Sequence, residues 1–153
     1  MVAVTHLRLI LSARVEYALL SLIALAQVWD RQTPVAIAEI STRYAIPGGY
    51  VEHIFMRLRR GGFVQSQRGS KGGYRLTRAP DQIRIIEVIQ LIETSAEANL
   101  HTQPGDNPRV YSASKLEREL IQEIWQQALS ASQTVLSGYS LQDLQQRTLA
   151  QSS

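Results

Sequence analysis

Between Arg57 and Arg78 the chain carries seven basic side chains, Arg57, Arg59, Arg60, Arg68, Lys71, Arg75 and Arg78, and no acidic one. That run exceeds what solubility requires, and it suits phosphate, because guanidinium and ammonium groups displace the counterions condensed on a duplex. Just upstream stand Tyr50, Glu52, His53 and Met56. At about 100° per residue along a helix, Glu52, His53, Met56 and Arg60 point away from an apolar stripe of Val51, Ile54 and Leu58, with Tyr50 and Arg57 on its shoulder. Glu52 can accept from a cytosine amino group, His53 can donate or accept, and Tyr50 or Arg57 can hold a phosphate. A carboxylate on a basic surface repels phosphate, so Glu52 favours base reading over plain adhesion. Tyr50 also reads as a packing residue at the helix start, and His53 as an exposed polar residue.

Other chemistry is poorly supported. The chain has no cysteine, which removes disulfides, thiolate metal sites and a cysteine nucleophile. His101 and Asp106 supply one imidazole and one carboxylate, short of a set of metal ligands. The glycine-rich Gly69-Ser70-Lys71-Gly72-Gly73 lacks the spacing of a nucleotide-binding loop and joins two strands instead of opening a helix. Neither a nucleophile elbow nor a metalloprotease histidine pair is present. No enzyme, metal or cofactor is expected.

The elements that must hold these residues follow from periodicity. Val15, Ala18, Leu19, Leu22, Leu25 and Ala26 recur at three and four, giving a first helix over Ser12 to Val28. Pro34 opens a second over Ala36 to Tyr44, and Pro47 fits the first turn of a third that Gly61 and Gly62 end. Two helices across a short turn read as a helix-turn-helix. Phe63 to Gln67 and Gly73 to Thr77 read as a hairpin with Arg68, Ser70 and Lys71 about its tip. A fourth helix over Ile85 to Glu93 is apolar on more than one face and should lie between other elements. Ser95 to Ala113 has the composition of a loop. Ser114 and Glu117 then form a capping-box pattern ahead of a long helix to Leu136. Leu116, Leu120, Ile124, Ala128, Ala131 and Val135 make one stripe on it, and Ile121, Trp125 and Leu129 widen the apolar face. One stripe can serve the chain's own core; the other suits a second copy of the chain. Ser140 and Asp143 open a last short helix.

At 153 residues the chain has the length of one domain, or of a small domain with an added oligomerisation element. Its net charge of +3 conceals a division into +7 over residues 1–80 and −4 over 81–153. The reading is a mainly α fold with a small β-hairpin wing, a winged helix-turn-helix plus a long dimerisation helix. Residues 1–80 form the DNA-binding region, 81–113 a connecting helix and sensor loop, and 114–153 the dimerisation and C-terminal helices. The apolar stretch from Tyr17 to Trp29 is too short and too polar for a membrane span and reads as a core helix rather than a secretory signal. The cytoplasm is the expected compartment.

The run from Ile46 to Val64, IPGGYVEHIFMRLRRGGFV, followed by SQRGSKGGYRL from Ser66 to Leu76, resembles the Rrf2 family of winged helix-turn-helix regulators, of the iron-sulfur cluster regulator type. So does LSARVEYA from Leu11 to Ala18, with a weaker echo at Ser140 to Leu144. The resemblance implies a homodimer whose third helix enters the major groove, with Glu52 contacting bases and Arg68 of the wing reaching the minor groove. Three departures stand out. Gly48 and Gly49 occupy positions where relatives carry polar residues, the cluster-binding cysteines are missing, and a lead from Met1 to Ile10 precedes the match.

The expectation is therefore a sequence-specific, double-stranded-DNA-binding transcriptional regulator acting as a homodimer on an inverted repeat. Its DNA-contacting residues would be Tyr50, Glu52, His53, Arg57, Arg59, Arg60, Arg68, Ser70, Lys71 and Arg75. Its dimer residues would be Leu116, Leu120, Ile121, Ile124, Trp125, Ala128 and Leu129. Residues 95–113 are the candidate for effector input. The alternatives are an interaction adaptor on a winged-helix scaffold and a metal or cluster sensor with non-cysteine ligands.

Overall fold

The computed structural model describes residues 11–93 and 115–152. The lead from Met1 to Ile10, the loop from Ser95 to Ala113 with His101 and Asp106, and the capping position Ser114 lie outside the described residues. Helix α1 spans Ala13–Ala26, and its first turn is capped by Ser12, whose hydroxyl accepts from the Val15 N–H at 3.2 Å. Val15, Ala18, Leu22, Ala24, Leu25 and Ala26 are buried along it. Ser21 is buried too, its hydroxyl donating to the Tyr17 carbonyl at 2.7 Å, so the polar residue inside the apolar run is satisfied within the helix.

Helix α2 spans Ile37–Tyr44 and α3 spans Gly48–Arg60. Ala45, at φ 52°, turns the chain between them, and the Ser41 hydroxyl donates to the Ile46 carbonyl at 2.6 Å. Pro47 caps α3 from outside instead of occupying its first turn. Pro34 likewise does not open α2. The residue after it, Val35, is drawn into the hairpin, exchanging two backbone hydrogen bonds of 2.9 Å with Tyr74. Sequence spacing concealed this because a single bridging residue has no period.

The hairpin itself pairs β1, Val64–Gln67, with β2, Gly73–Leu76, antiparallel, Val64 opposite Leu76 and Gln67 opposite Gly73. Gly62, at φ +78°, makes the turn into it from α3. Helix α4, Ile85–Glu93, lies against α1 and α3, with Ile85, Val88 and Ile92 buried, as its two-sided apolar pattern predicts.

Helix α5 spans Lys115–Ser137 and α6 spans Leu141–Gln151. The Ser140 N–H donates to Asp143 at 2.8 Å and the Ser140 hydroxyl accepts from the Asp143 N–H at 3.2 Å, completing a capping box. These Ser140 contacts hold the Asp143 carboxyl below the ordinary carboxylate range. The chain then returns to the first core. Leu141 is buried, its N–H donates to the Ile83 carbonyl at 2.8 Å, and α6 packs on α1. The two helices after residue 114 are thus attached differently: α6 packs on α1, whereas α5 meets α4.

No residue of α5 is buried. The expectation that one of its stripes serves the chain's own core is corrected here. Among the described residues its C-terminal half alone is partly covered, with Ala128, Leu129 and Leu136 half-buried while Leu116, Leu120, Ile121, Ile124 and Trp125 are exposed.

A Cβ at Gly73 would lie 2.4 Å from the Val35 carbonyl oxygen, whereas one at Gly49 would meet nothing within 4 Å. Gly73→Ala is therefore expected to lower unfolding free energy by about 1–3 kcal/mol, and Gly49→Ala to raise it by up to about 1 kcal/mol. Urea denaturation checks both.

Candidate nucleic-acid interface

Helix α3 is divided by burial into two faces. Val51, Ile54, Phe55 and Leu58 are buried, and the opposite side presents Gly49, Glu52, Met56 and Arg60 exposed with His53 half-buried. Positions 49, 52, 56 and 60 are spaced by three and four, and 53 lies four beyond 49 and three before 56, so the five form one stripe of the helix. Its chemistry is that of groove reading: a carboxylate acceptor, an imidazole and a thioether in the middle, and cations at the C-terminal end. Tyr50 fills the packing role expected of it in part. It is 55% exposed, yet its ring meets that of Tyr17 edge-on at 6.3 Å, which anchors the first turn of α3 to α1.

Tyr74 ties the wing to this helix. The Tyr74 ring lies 4.6 Å from that of Phe55 on the inner face of α3, while its backbone bonds Val35 ahead of α2. Register therefore passes from both helices of the helix-turn-helix to β2. At the tip, the Gly72 N–H donates to the Gly69 carbonyl at 3.0 Å, closing a tight turn with Gly69 at φ +116°. A side chain at Gly72 would collide with the Gln67 carbonyl oxygen, 2.3 Å from its Cβ position. The glycines of this loop thus serve hairpin closure and leave Arg68, Ser70 and Lys71 exposed around it.

The seven cations separate once their partners are known. Arg59, Arg60, Arg68 and Lys71 are exposed. Arg75 is half-buried and faces its cross-strand partner Gln65, whose amide oxygen, in the orientation that satisfies both groups, accepts from Nε at 2.8 Å and Nη2 at 3.2 Å. Arg78 is used structurally: it stacks on Phe63 at 4.9 Å and pairs with Glu87 at 3.6 Å. Arg57 departs most from the expected arrangement. It is 8% exposed, and its Nη1 donates to the Ile92 carbonyl at 3.2 Å, at the end of α4. The shoulder position read from helical angle turns inward because α4 covers that side of α3.

Sequence reasoning passed over Gln65, Ser66 and Gln67, all exposed on β1 beside the basic tip. They carry no charge, and strand alternation gives no sign of them because only Val64 of β1 is buried.

A family model described as "Rrf2: Iron-dependent Transcriptional regulator" matches residues 11–147. The chain is 36% identical over 118 residues to the HTH-type transcriptional regulator IscR of Cereibacter sphaeroides, covering 76% of this chain and 74% of that protein. It is 33% identical over 135 residues to IscR of Aliivibrio salmonicida, covering 88% and 76%. Among solved structures, T. potens IscR superposes with a TM-score of 0.70 at 25% identity, covering 90% of this chain and 86% of that one. CymR, the global cysteine regulator of B. subtilis, gives 0.66 at 27% identity, covering 89% and 95%.

The iron in that description finds no thiolate donor here. A cluster or iron held by cysteine thiolates needs a residue this chain does not contain. Among the described residues no three His, Asp or Glu side chains gather to replace it. Protein purified without oxygen is expected to be colourless, with iron at background by elemental analysis. A visible charge-transfer band with stoichiometric iron would overturn that expectation.

Proposed function

Since the chain belongs to the Rrf2 family of transcriptional regulators, we propose that this DNA-binding regulator recognises a specific inverted-repeat operator as a homodimer in the cytoplasm. The observation that carries the reading is the stripe of α3 with Glu52 and His53 at its centre, flanked by exposed cations on the helix end and the wing. Arg59, Arg60, Arg68, Ser70, Lys71 and Arg75 hold phosphate and groove edges, and Tyr50 holds the first turn in place while reaching the backbone. Glu52 and His53 read base edges. A carboxylate in a basic field costs non-specific affinity, and that cost is recovered only over a base that donates to it.

The dimer reading rests on α5. Ile124 is 67% exposed and Trp125 40% exposed, and with Leu116, Leu120 and Ile121 they leave a continuous apolar strip on a helix of 23 residues. Ala128 and Leu129 continue it to the half-buried end. Such a strip in water favours association, and a two-fold pair of α5 helices would present two reading heads to two half-sites. Residues 95–113 join the reading head to α5 in sequence, and on that placement they are the proposed point of effector input. Among the described residues no helix is long and apolar enough to cross a membrane.

Selection of binding sites from a random duplex pool is expected to return an inverted repeat. On that duplex, Arg68→Ala should weaken binding and reduce the salt slope by about 0.9, one phosphate contact. Glu52→Ala should flatten the preference at one base position per half-site by about 1–3 kcal/mol. Equal losses by both variants on every sequence would contradict the assigned roles. Ile124→Asp should give a monomer in sedimentation and remove high-affinity operator binding; a dimer of unchanged strength would exclude α5 as the interface.

A further inference from the structure

The last turn of α4 is a junction of three helices. The Ser12 hydroxyl, at the start of α1, donates to the Glu93 carboxylate at 2.6 Å. The buried Arg57 of α3 donates to the Ile92 carbonyl at 3.2 Å. Four residues on, Gly61 approaches Leu91 so closely that a Cβ there would sit 2.5 Å from Leu91 Cδ2. Consecutive residues Leu91, Ile92 and Glu93 are thus each joined to another helix, two of them to the end of α3.

A guanidinium that donates to a backbone carbonyl of a neighbouring helix makes a charge-assisted hydrogen bond, stronger than one between neutral groups. Burying a guanidinium is costly unless its donors are used, so the side chain has little freedom to leave. Lying in the last turn of α3, on the shoulder between the buried stripe and the face that carries Met56 and Arg60, it sets the angle at which that face leaves the core.

We propose that Arg57 is a positioning residue for DNA reading: it holds the C-terminal end of α3 against the last turn of α4 and thereby sets the pose of the base-reading face, without touching phosphate itself. This deepens the regulator reading and rests on it.

Salt dependence separates positioning from contact. Affinity is measured against salt concentration for the selected operator and for a random duplex of equal length, with wild type, Arg57→Met, Arg57→Lys and Arg59→Gln. Arg57→Met keeps length and suits burial but leaves the carbonyl without this donor. It is expected to bind the operator at least ~10-fold more weakly, with salt slope and random-duplex affinity unchanged, so that specificity falls. Arg57→Lys should fall between it and wild type, since an ammonium on a different stem restores only part of a guanidinium's geometry. Arg59→Gln, a direct contact, should weaken both duplexes and lower the slope by about 0.9.

A matching slope loss for Arg57→Met on both duplexes would make Arg57 a phosphate ligand and overturn the proposal. So would wild-type operator affinity. Should Arg57→Met fail to fold, Arg57→Lys decides: a phosphate contact predicts both affinities kept, and positioning predicts loss on the operator alone. Wild type that prefers no duplex would instead refute the regulator reading, whereas a selective wild type indifferent to Arg57 refutes only this inference.

Discussion

The apolar face of α1 is the surface on which α3, α4 and α6 are all laid, and every exposed group of the reading head takes its direction from that packing. Leu22 and Leu25 are almost wholly removed from solvent there, as is Phe55 on α3. Each such side chain contributes on the order of 1.5–3 kcal/mol. Because α3 must bury Val51, Ile54, Phe55 and Leu58, its remaining face has no alternative to solvent. Glu52 and Met56 are presented as the consequence of where the leucines of α1 lie.

A second constraint is the sharing of Tyr74 between Val35 and Phe55. A two-stranded hairpin alone is marginal in water. Here its β2 strand gains a backbone partner ahead of α2 and a ring partner on α3, so the tip with Arg68 and Lys71 is carried by the helical body. The glycines on either side serve that attachment: Gly73 lets the backbone reach Val35, and Gly69 closes the tip.

The cations divide labour in a way that charge counting hides. Arg78 braces the exit from the wing through Phe63 and Glu87, Arg57 fastens α3 to α4, and Arg75 is drawn toward Gln65. Arg59, Arg60, Arg68 and Lys71 remain at the surface. A run of like charge can therefore be partly scaffold, since a guanidinium has enough donors to bind carbonyls and aromatic faces as readily as phosphate. The same economy appears on α5, where apolar side chains stay exposed along a helix that the other described residues leave largely uncovered.

The helices, their order and the hairpin were legible in the sequence, because burial of one face imposes a period that composition cannot disguise. α4 was readable to the residue, and the start of the last helix at Ser140 and Asp143 was visible from spacing alone. The lack of cysteine settled the question of thiolate ligands with no structure at all. The inward turn of Arg57, the bridge at Val35, the bracing role of Arg78 and the return of α6 to α1 were decided only by tertiary structure. Each depends on a partner distant in the chain, Ile92, Tyr74, Glu87 or Ile83. Periodicity reports which face of an element is apolar, but not which neighbour covers its edge. A long polar side chain at such an edge takes its direction from that neighbour.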